Sequence, residues 1–283
     1  MTDLFDFDKP ARYAVMGNPI QHSKSPRIHT LFARQTGQNI EYSAIQVDPG
    51  GLEQAIGNFQ ASGGSGLNIT VPFKRTAWEL MDELSERARL AGAVNTILFR
   101  DDSCYGDNTD GVGLVRDLRE NHGIPLEGRD ILLLGAGGAA RGVLEPLLAE
   151  HPARLLVANR TPNRAHDLAD QFSSLGEVRG CGLPALEGQR FDLIINATAA
   201  SLAGELPPLP DDLLNAGGCC YDMMYGPEPT PFLQWAKAHD AGKTIDGLGM
   251  LVEQAAESFH LWRGVRPETG PVIEALRKEM TPC

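Results

Sequence analysis

The hydrophobic positions of this chain change their pattern near residue 128. Beyond that point, short apolar runs without polar alternation recur between helical stretches. Predicted strands of this kind are Ile131–Leu134, Leu155–Ala158, a short run around Val178, Leu193–Asn196, Tyr221–Met223 and Thr244–Ile245. Continuous apolar runs are typical of strands that are buried on both faces of a parallel sheet. Their alternation with helices predicts a doubly wound α/β fold.

The pattern before residue 100 differs in kind. Amphipathic helices separate the predicted strands Tyr13–Met16, Ile40–Val47, Gly66–Val71 and Thr96–Phe99. At the other end of the chain, residues 249–263 and 271–280 have the periodicity of two closing helices. The change of pattern predicts two α/β domains with a ligand cleft between them.

A glycine-rich turn follows the first apolar run of the later region. Gly135, Gly137 and Ala140 occupy the positions of a G-x-G-x-x-G/A motif between a strand and a helix. Gly135 permits the tight turn, and Gly137 lets the backbone approach a pyrophosphate. The helix start offers unpaired N–H groups and a positive dipole end to that anion. The segment therefore predicts a dinucleotide-binding site.

The end of the next predicted strand indicates which dinucleotide binds. An NAD enzyme usually has Asp or Glu there, about 20 residues beyond the glycines, to accept a hydrogen bond from the ribose 2′-hydroxyl. This chain instead has Asn159, Arg160, Thr161 and Arg164, without a carboxylate. Two guanidiniums attract a 2′-phosphate that a carboxylate would repel. The sequence predicts NADP(H) as cofactor.

Composition narrows the range of partners and compartments. The 283 residues carry a net charge of −12, which argues against nucleic acid or an anionic membrane surface as partner. No apolar run approaches the roughly 20 residues that span a bilayer. The five cysteines lack the spacing of a zinc site and are interpreted as free thiols in a reducing cytoplasm.

Some polar residues near predicted helix starts have two possible interpretations. Ser25 followed by Pro26 is typical of a helix N-cap, and Asp110 before a helix is first of all a cap. Lys74, just past a strand end, is usually a solvated residue. Ser23 has no such structural explanation, and two hydroxyls at a helix start also make a small anion pocket. Local sequence leaves these alternatives open.

Several motifs, in the same order along the chain, resemble those of the shikimate dehydrogenase family. They are Gly17–Pro26, Asn68–Lys74, Ala91–Thr96, Gly106–Gly111, Gly135–Arg141, Asn159–Thr161, Tyr221–Tyr225, Thr230–Phe232 and Asp246–Leu251 with Gln254. The resemblance implies a substrate domain formed by residues 1–107 plus 248–283, with an NADP-binding Rossmann domain of residues 108–247 inserted. It implies reversible NADPH-dependent reduction of 3-dehydroshikimate to shikimate, a cytoplasmic step in chorismate and aromatic amino acid biosynthesis. Its partners are then a small-molecule substrate and, in a homodimer, a second copy of the chain.

The resemblance also implies residue roles, with Lys74 and Asp110 as the catalytic pair and no metal. Positions implied to contact substrate are Ser23, Ser25 and Tyr225 at the carboxylate, and Thr70, Lys74, Asn95, Asp110 and Gln254 at the ring oxygens. Positions implied to bind cofactor are Glu86, Gly135, Ala136, Gly137, Gly138, Ala139, Asn159, Arg160, Thr161, Arg164, Met223 and Gly247. One departure stands in the loop near the cofactor, where Ala199-Ala200-Ser201 replaces the family's usual Ser-Ser-Gly.

Three other functions remain as alternatives. A broader enzyme of the same family oxidises quinate as well, with NAD or NADP. A non-catalytic NADP-binding regulator would have no need of both Lys74 and Asp110. A third alternative is another two-domain NADP dehydrogenase, such as one acting on folates, which the paired serines at 23 and 25 disfavour.

Overall fold

A computed structural model of the chain describes residues 9–100, 103–198, 200 and 204–280. The described residues divide into two compact units. The first contains the residues up to Thr109 together with Gln254–Val272, and the second contains Asp110–Glu253 with the residues from Ile273 onward. Over the described part of the chain, no helix combines the length and the apolar character that a membrane span requires.

The first unit is built on a mixed sheet, which has six strands among the described residues. The strands are β1 (Ala11–Gly17), β2 (Ile40–Gln46), β3 (Gly64–Ile69), β4 (Glu83–Leu84), β5 (Thr96–Arg100) and β6 (Ser103–Asp107), in the order β2-β1-β3-β5-β6-β4. The strand pairs β1–β2 and β1–β3 are parallel, whereas β5 runs antiparallel to both β3 and β6. The predicted third strand was placed too late, because Thr70 and Val71 lie in the turn that follows β3.

Helices pack against this sheet and supply the rest of its core. They are α1 (Ser25–Thr36), α2 (Leu52–Ala61), α3 (Lys74–Leu80) and α4 (Glu86–Ala91), followed late in the chain by α9 (Leu248–Arg263), of which the part from Gln254 belongs to this unit. Met16, Leu67 and Ile69 from the strands meet Phe59 and Phe73 in one buried cluster. The helices therefore pack with their apolar faces on the sheet, which gives the unit its layered α/β structure.

The second unit is a parallel sheet whose strand order is β12-β11-β10-β7-β8-β9. The strands are β7 (Asp130–Leu134), β8 (Arg154–Asn159), β9 (Val178–Gly182), β10 (Phe191–Asn196), β11 (Leu214–Asp222) and β12 (Lys243–Asp246). Numbered within the unit, this is the doubly wound Rossmann order 6-5-4-1-2-3, with every pairing parallel. The predicted fold class is confirmed. The vicinal Cys219 and Cys220 lie buried in β11.

Helices of the second unit connect several of these strands, and others precede or follow them in the chain. They are α5 (Asp110–Arg116), α6 (Gly138–Leu148), α7 (Pro162–Phe172), α8 (Pro231–Ala238) and α10 (Gly270–Met280), of which the part from Ile273 belongs to this unit. The sequence after Asp110 predicts an amphipathic helix that reaches His122, but α5 instead passes into a π-helical turn over Asp117–Asn121. Asp117 is fully buried and accepts hydrogen bonds from the Tyr221 hydroxyl at 2.7 Å and from Asn121 Nδ2 at 2.9 Å.

Candidate active site

A cavity of about 370 Å³ opens at the carboxyl ends of β7, β8 and β10 in the second unit. Ligands of open parallel sheets bind at this edge, where the strand order reverses. The lining residues come from strand ends and from the loop after β10. They are Leu134, Ala158, Asn159, Arg160, Leu183, Thr198, Ala200, Glu205, Leu206, Pro207 and Pro208. Glu205 and the Leu206–Pro208 segment were not predicted, because nothing in their local sequence marks them as binding residues.

The glycine turn has the geometry of a phosphate cradle. Gly135 has a φ of 107°, a conformation that favours glycine. A Cβ added to Gly137 or Gly138 would meet no protein atom within 4 Å, so internal packing does not explain these two glycines. No side chain caps the start of α6. Exposed N–H groups beside open space fit a pyrophosphate.

The basic segment after β8 lies at the rim of this cavity. Asn159 Nδ2 donates to the carbonyl of Thr161 at 3.0 Å, which fixes the turn that carries Arg160. Arg160 lines the cavity, and both Arg160 and Arg164 are exposed. The residues present fit a nucleotide that carries an additional phosphate on its ribose.

The ends of β11 and β12 bring two further predicted cofactor positions together. Gly247 donates its N–H to the carbonyl of Met224 at 3.0 Å. A Cβ at position 247 would lie 2.2 Å from the Met223 carbonyl oxygen, so only glycine allows this approach. Burial, together with the carboxylate of Asp246, raises the pKa of Tyr225. Tyr225 is therefore a neutral hydrogen-bond donor near neutral pH.

The loop after β10 is held by an Asn side chain. Asn196 is buried and its Oδ1 accepts from Thr198 Oγ1 at 2.7 Å and from Thr198 N at 3.1 Å. Its Nδ2 donates to Asp222 Oδ1 at 3.2 Å. The sequence departure in this loop falls partly on Ala199 and Ser201, which lie outside the described residues. Ala200 is described, and it lines the nucleotide cavity.

The start of α1 corrects one interpretation of the sequence. Ser25 is the first residue of the helix rather than its N-cap; Lys24 holds that position, and no side chain caps the helix. Ser23 Oγ accepts from the Ser25 N–H at 3.3 Å. The N-cap interpretation of Ser25 was wrong, and capping therefore does not account for its hydroxyl.

Lys74 is the first residue of α3, immediately after a tight turn. The Phe73 N–H donates to the carbonyl of Thr70 at 3.0 Å, which closes that turn. The Lys74 carbonyl accepts from the Val94 N–H at 2.8 Å. This bond links the start of α3 to the segment that carries Asn95. The backbones of Lys74 and Asn95 therefore lie close together, although the two residues are far apart in sequence.

Asn95 and Gln254 form an amide pair in the first unit. Asn95 is 3% exposed, and its Nδ2 donates to Gln254 Oε1 at 3.3 Å and to Thr109 Oγ1 at 3.0 Å. Its Oδ1 accepts from the Thr109 N–H at 2.9 Å. Asn68, which sequence analysis did not single out, donates to the Asn95 carbonyl at 3.0 Å. Its place two residues before Thr70 in the Asn68–Lys74 motif was the available signal.

Asp110 begins α5, directly after a strongly anchored strand end. The polar residues 107–111 predict a turn, but Asp107 is instead the last residue of β6 and is 2% exposed. The guanidinium of Arg87 donates to both of its carboxylate oxygens at 2.7 Å. Glu86, the neighbour of Arg87, is exposed at the start of α4.

The predicted site residues are divided between the two units. The first unit contains Ser23, Ser25, Thr70, Lys74, Glu86, Asn95 and Gln254, and the second contains Asp110, the glycine turn, the basic segment, Met223, Tyr225 and Gly247. Apart from the buried Asn95, the predicted substrate-contacting side chains are all partly exposed. Their roles remain predictions.

Comparison with known proteins gives matches along nearly the whole chain. Residues 15–97 match the shikimate dehydrogenase substrate binding domain, 117–203 the shikimate/quinate 5-dehydrogenase family, and 247–277 the shikimate 5′-dehydrogenase C-terminal domain. The shikimate dehydrogenase (NADP(+)) of Methylococcus capsulatus is 60% identical over 272 residues, 96% of this chain and 98% of that one.

Solved structures agree with these matches. An Ael1 enzyme from Pseudomonas putida is similar with a TM-score of 0.89 at 47% identity, covering 96% of this chain and 99% of that one. Shikimate 5-dehydrogenase from Thermus thermophilus, solved in complex with NADP(H) and shikimate, gives a TM-score of 0.85 at 35% identity, with coverage of 95% and 99%.

The fold and the nucleotide cavity define a dinucleotide-binding protein with a Rossmann unit and a second α/β unit, and its relatives place it among the oxidoreductases. The matches extend over both units, and the Methylococcus relative is 60% identical to this chain. The chain belongs to the shikimate dehydrogenase family, and the family predicted from its motifs is confirmed.

Proposed function

We propose that this oxidoreductase catalyses the reversible NADPH-dependent reduction of 3-dehydroshikimate to shikimate, with Lys74 and Asp110 as its catalytic pair. The observation that carries the proposal is the link between the Lys74 carbonyl and the Val94 N–H, at 2.8 Å. It holds the backbone of Lys74 beside the segment that carries Asn95, which belongs to the Asn95–Gln254 amide pair. An ammonium with neighbouring amides suits a cyclic substrate that carries a carbonyl among hydroxyls.

The reaction adds a hydride to the carbonyl carbon and a proton to its oxygen. NADPH supplies the hydride when bound, and the glycine turn and Arg160 would hold it. The Lys74 ammonium stabilises the negative charge that develops on the oxygen and donates the proton. Asp110 orients the ammonium and accepts from the neighbouring hydroxyl. In the reverse direction the pair accepts the alcohol proton.

The substrate carboxylate is bound by hydroxyl groups. We assign Ser23, Ser25 and Tyr225 to this role. Because the pKa of Tyr225 is raised, its phenol remains a donor near neutral pH. Three hydroxyl donors hold a carboxylate without adding a cation near Lys74, which would compete for Asp110.

A single spectrophotometric assay tests the activity and its main alternative. We expect NADP⁺-dependent absorbance at 340 nm with shikimate, and a much lower kcat/KM with quinate or with NAD⁺. Equal kcat/KM for both acids and both cofactors would favour the broader quinate/shikimate enzyme. No absorbance change with any combination would favour the non-catalytic regulator.

Cofactor preference gives a second test, on Arg160. We expect Arg160→Asp to raise the KM for NADPH by about ten- to a hundredfold, because it removes a charge-assisted contact to the 2′-phosphate and adds a repulsive charge. The KM for NADH should change little. Arg179→Asp is the matched control, since Arg179 lies in the same unit with 74% of its side chain exposed and pairs with its near neighbour Glu177. Equal effects of Arg160→Asp on both cofactors would remove the assignment.

The proposal extends to domain roles, assembly and compartment. Residues 1–107 plus 248–283 would bind the substrate, and residues 108–247 would bind NADP(H). The free thiols of Cys104, Cys181, Cys219 and Cys220 suit a reducing cytoplasm. If the chain forms a homodimer, light scattering should give twice the chain mass of 30.6 kDa.

A further inference from the structure

A buried network of hydroxyls and amides in the first unit connects several of the proposed substrate positions. Thr96 Oγ1 and Ser258 Oγ lie 2.7 Å apart, and both residues are fully buried. Ser258 stands one turn after Gln254 on α9. Its hydroxyl lies 3.1 Å from the Gln254 carbonyl and is the donor in the closer contact with Thr96 Oγ1. Neither Thr96 nor Ser258 is among the residues assigned to substrate or cofactor above.

Two amide side chains converge on this hydroxyl pair. Asn68 Nδ2 lies 3.2 Å from Thr96 Oγ1 and 3.1 Å from Ser258 Oγ. Thr96 Oγ1 in turn donates to Asn95 Oδ1 at 3.0 Å. The pair therefore lies between Asn68 and Asn95, and each hydroxyl contributes to at least two hydrogen bonds.

Backbone groups identify which end of each amide is the oxygen and which is the nitrogen. The Asn95 carbonyl can only accept, so Nδ2 of Asn68 must face it, at 3.0 Å. Asn68 Oδ1 then faces the Tyr42 hydroxyl, which donates to it at 2.7 Å. Burial raises the pKa of Tyr42 well above its usual value, so this donor stays protonated.

The same reasoning fixes the second amide. The Thr109 N–H can only donate, so Oδ1 of Asn95 must face it, at 2.9 Å. The Nδ2 group of Asn95 is then directed to Gln254 Oε1, at 3.3 Å. Gln254 consequently presents its donor group, Nε2, on the side of its amide away from Asn95. A hydroxyl oxygen of a polyol substrate can accept a hydrogen bond from this group.

We propose that Thr96 and Ser258 are positioning residues, which together with Asn68 hold the amide of Asn95, and through it that of Gln254, in the orientation that binds the substrate hydroxyls. This inference rests on the proposed function, because it assumes that Asn95 and Gln254 contact substrate. Without the hydroxyl pair, Asn68 Nδ2 and Asn95 Oδ1 each lose a partner, and both amides gain rotational freedom. The cost falls on substrate binding rather than on hydride transfer.

Thr96→Val tests the proposal, because valine keeps the shape of the side chain and removes only its hydroxyl. We expect the KM for shikimate to rise about tenfold, with kcat and the KM for NADP⁺ within about twofold of wild type. Thr96→Ser should restore the wild-type KM. A role confined to fold stability would lower the melting temperature without this split between KM and kcat.

Thr36→Val is the matched control. It also removes a threonine hydroxyl of the first unit, one that donates to the Phe32 carbonyl at 2.7 Å within α1. We expect it to leave all kinetic constants unchanged. If Thr96→Val is too unstable to purify, Ser258→Ala serves as the second variant. It should raise the shikimate KM severalfold, less than Thr96→Val, because Thr96 still donates to Asn95.

The wild-type assay separates this inference from the function on which it rests. Wild-type turnover of shikimate with unchanged KM in both variants would overturn the positioning role and leave the proposed function standing. A rise in KM that Thr96→Ser does not reverse would also overturn it. Absence of wild-type turnover would overturn both.

Discussion

Replacing Lys74 with alanine is expected to lower kcat by roughly 10²–10⁴-fold while the KM for shikimate changes little. In the proposed mechanism the amine acts on charge that develops in the transition state, so its loss should appear in kcat rather than in ground-state binding. The measurement is initial-rate kinetics at 340 nm in both directions. Full turnover by the variant would remove Lys74 from its catalytic role.

Two controls make this result specific to the amine. Lys237→Ala removes an exposed lysine from α8 and should leave kcat unchanged. Small primary amines added to Lys74→Ala should restore part of the lost rate, because they supply the missing proton donor. An equal response of wild type and variant to added amine would argue against that explanation.

Replacing Arg87 with alanine is expected to lower the free energy of unfolding by about 3–5 kcal/mol. Arg87 donates to both oxygens of Asp107 at 2.7 Å and to Glu257 Oε1 at 3.3 Å. Asp107 and Glu257 are 2% and 8% exposed, so removal of the guanidinium leaves buried negative charge with fewer partners. Urea unfolding measures the loss, and Arg87→Lys, which keeps the charge, should be less destabilising.

A surface arginine provides the control. Arg75 pairs with Glu79 at 3.2 Å, with 83% of its side chain exposed. Such a pair contributes about 0–1 kcal/mol, so Arg75→Ala should hardly change the unfolding midpoint. Equal losses of unfolding free energy in Arg87→Ala and Arg75→Ala would show that burial of Arg87 and its carboxylate partners does not contribute to stability.

The buried ion pairs of Arg87 with Asp107 and Glu257 also predict a pH dependence of stability. Burial alone would raise the pKa of Glu257, but the guanidiniums of Arg266 and Arg87 hold it below the ordinary value of 4.5. Stabilisation by Glu257 is therefore complete above pH 4.5 and is lost as pH falls through the lowered pKa of the folded state. We expect Arg87→Ala to unfold at a higher pH than wild type in acid titrations followed by circular dichroism.

The Rossmann half of the fold could be predicted because its signals are local. Each parallel strand is an uninterrupted apolar run, and the glycine turn follows β7 immediately. Strand β6 was missed because S-C-Y-G-D has little apolar character. In the structure its extended conformation is held by pairing with β5. Asp107 was misplaced for a related reason, since its partner Arg87 is twenty residues away.

The motifs predict the chemistry of the candidate site, but they do not predict its supporting contacts. Pro26 is compatible with either of the first two positions of a helix, so the sequence could not decide whether Ser25 precedes α1 or begins it. The hydroxyl pair of Thr96 and Ser258 joins residues 162 positions apart. Such contacts depend on how α9 packs on the sheet, which no local pattern encodes.

The two adjacent cysteines in β11 make it possible to measure local opening of the second unit. Burial raises the pKa of Cys219 to about 11 and that of Cys220 further, so neither thiol forms appreciable thiolate near neutral pH. An alkylating reagent can modify them only after β11 separates from its neighbours β10 and β12. The labelling rate of Cys219 and Cys220 therefore reports how often β11 separates from these two strands.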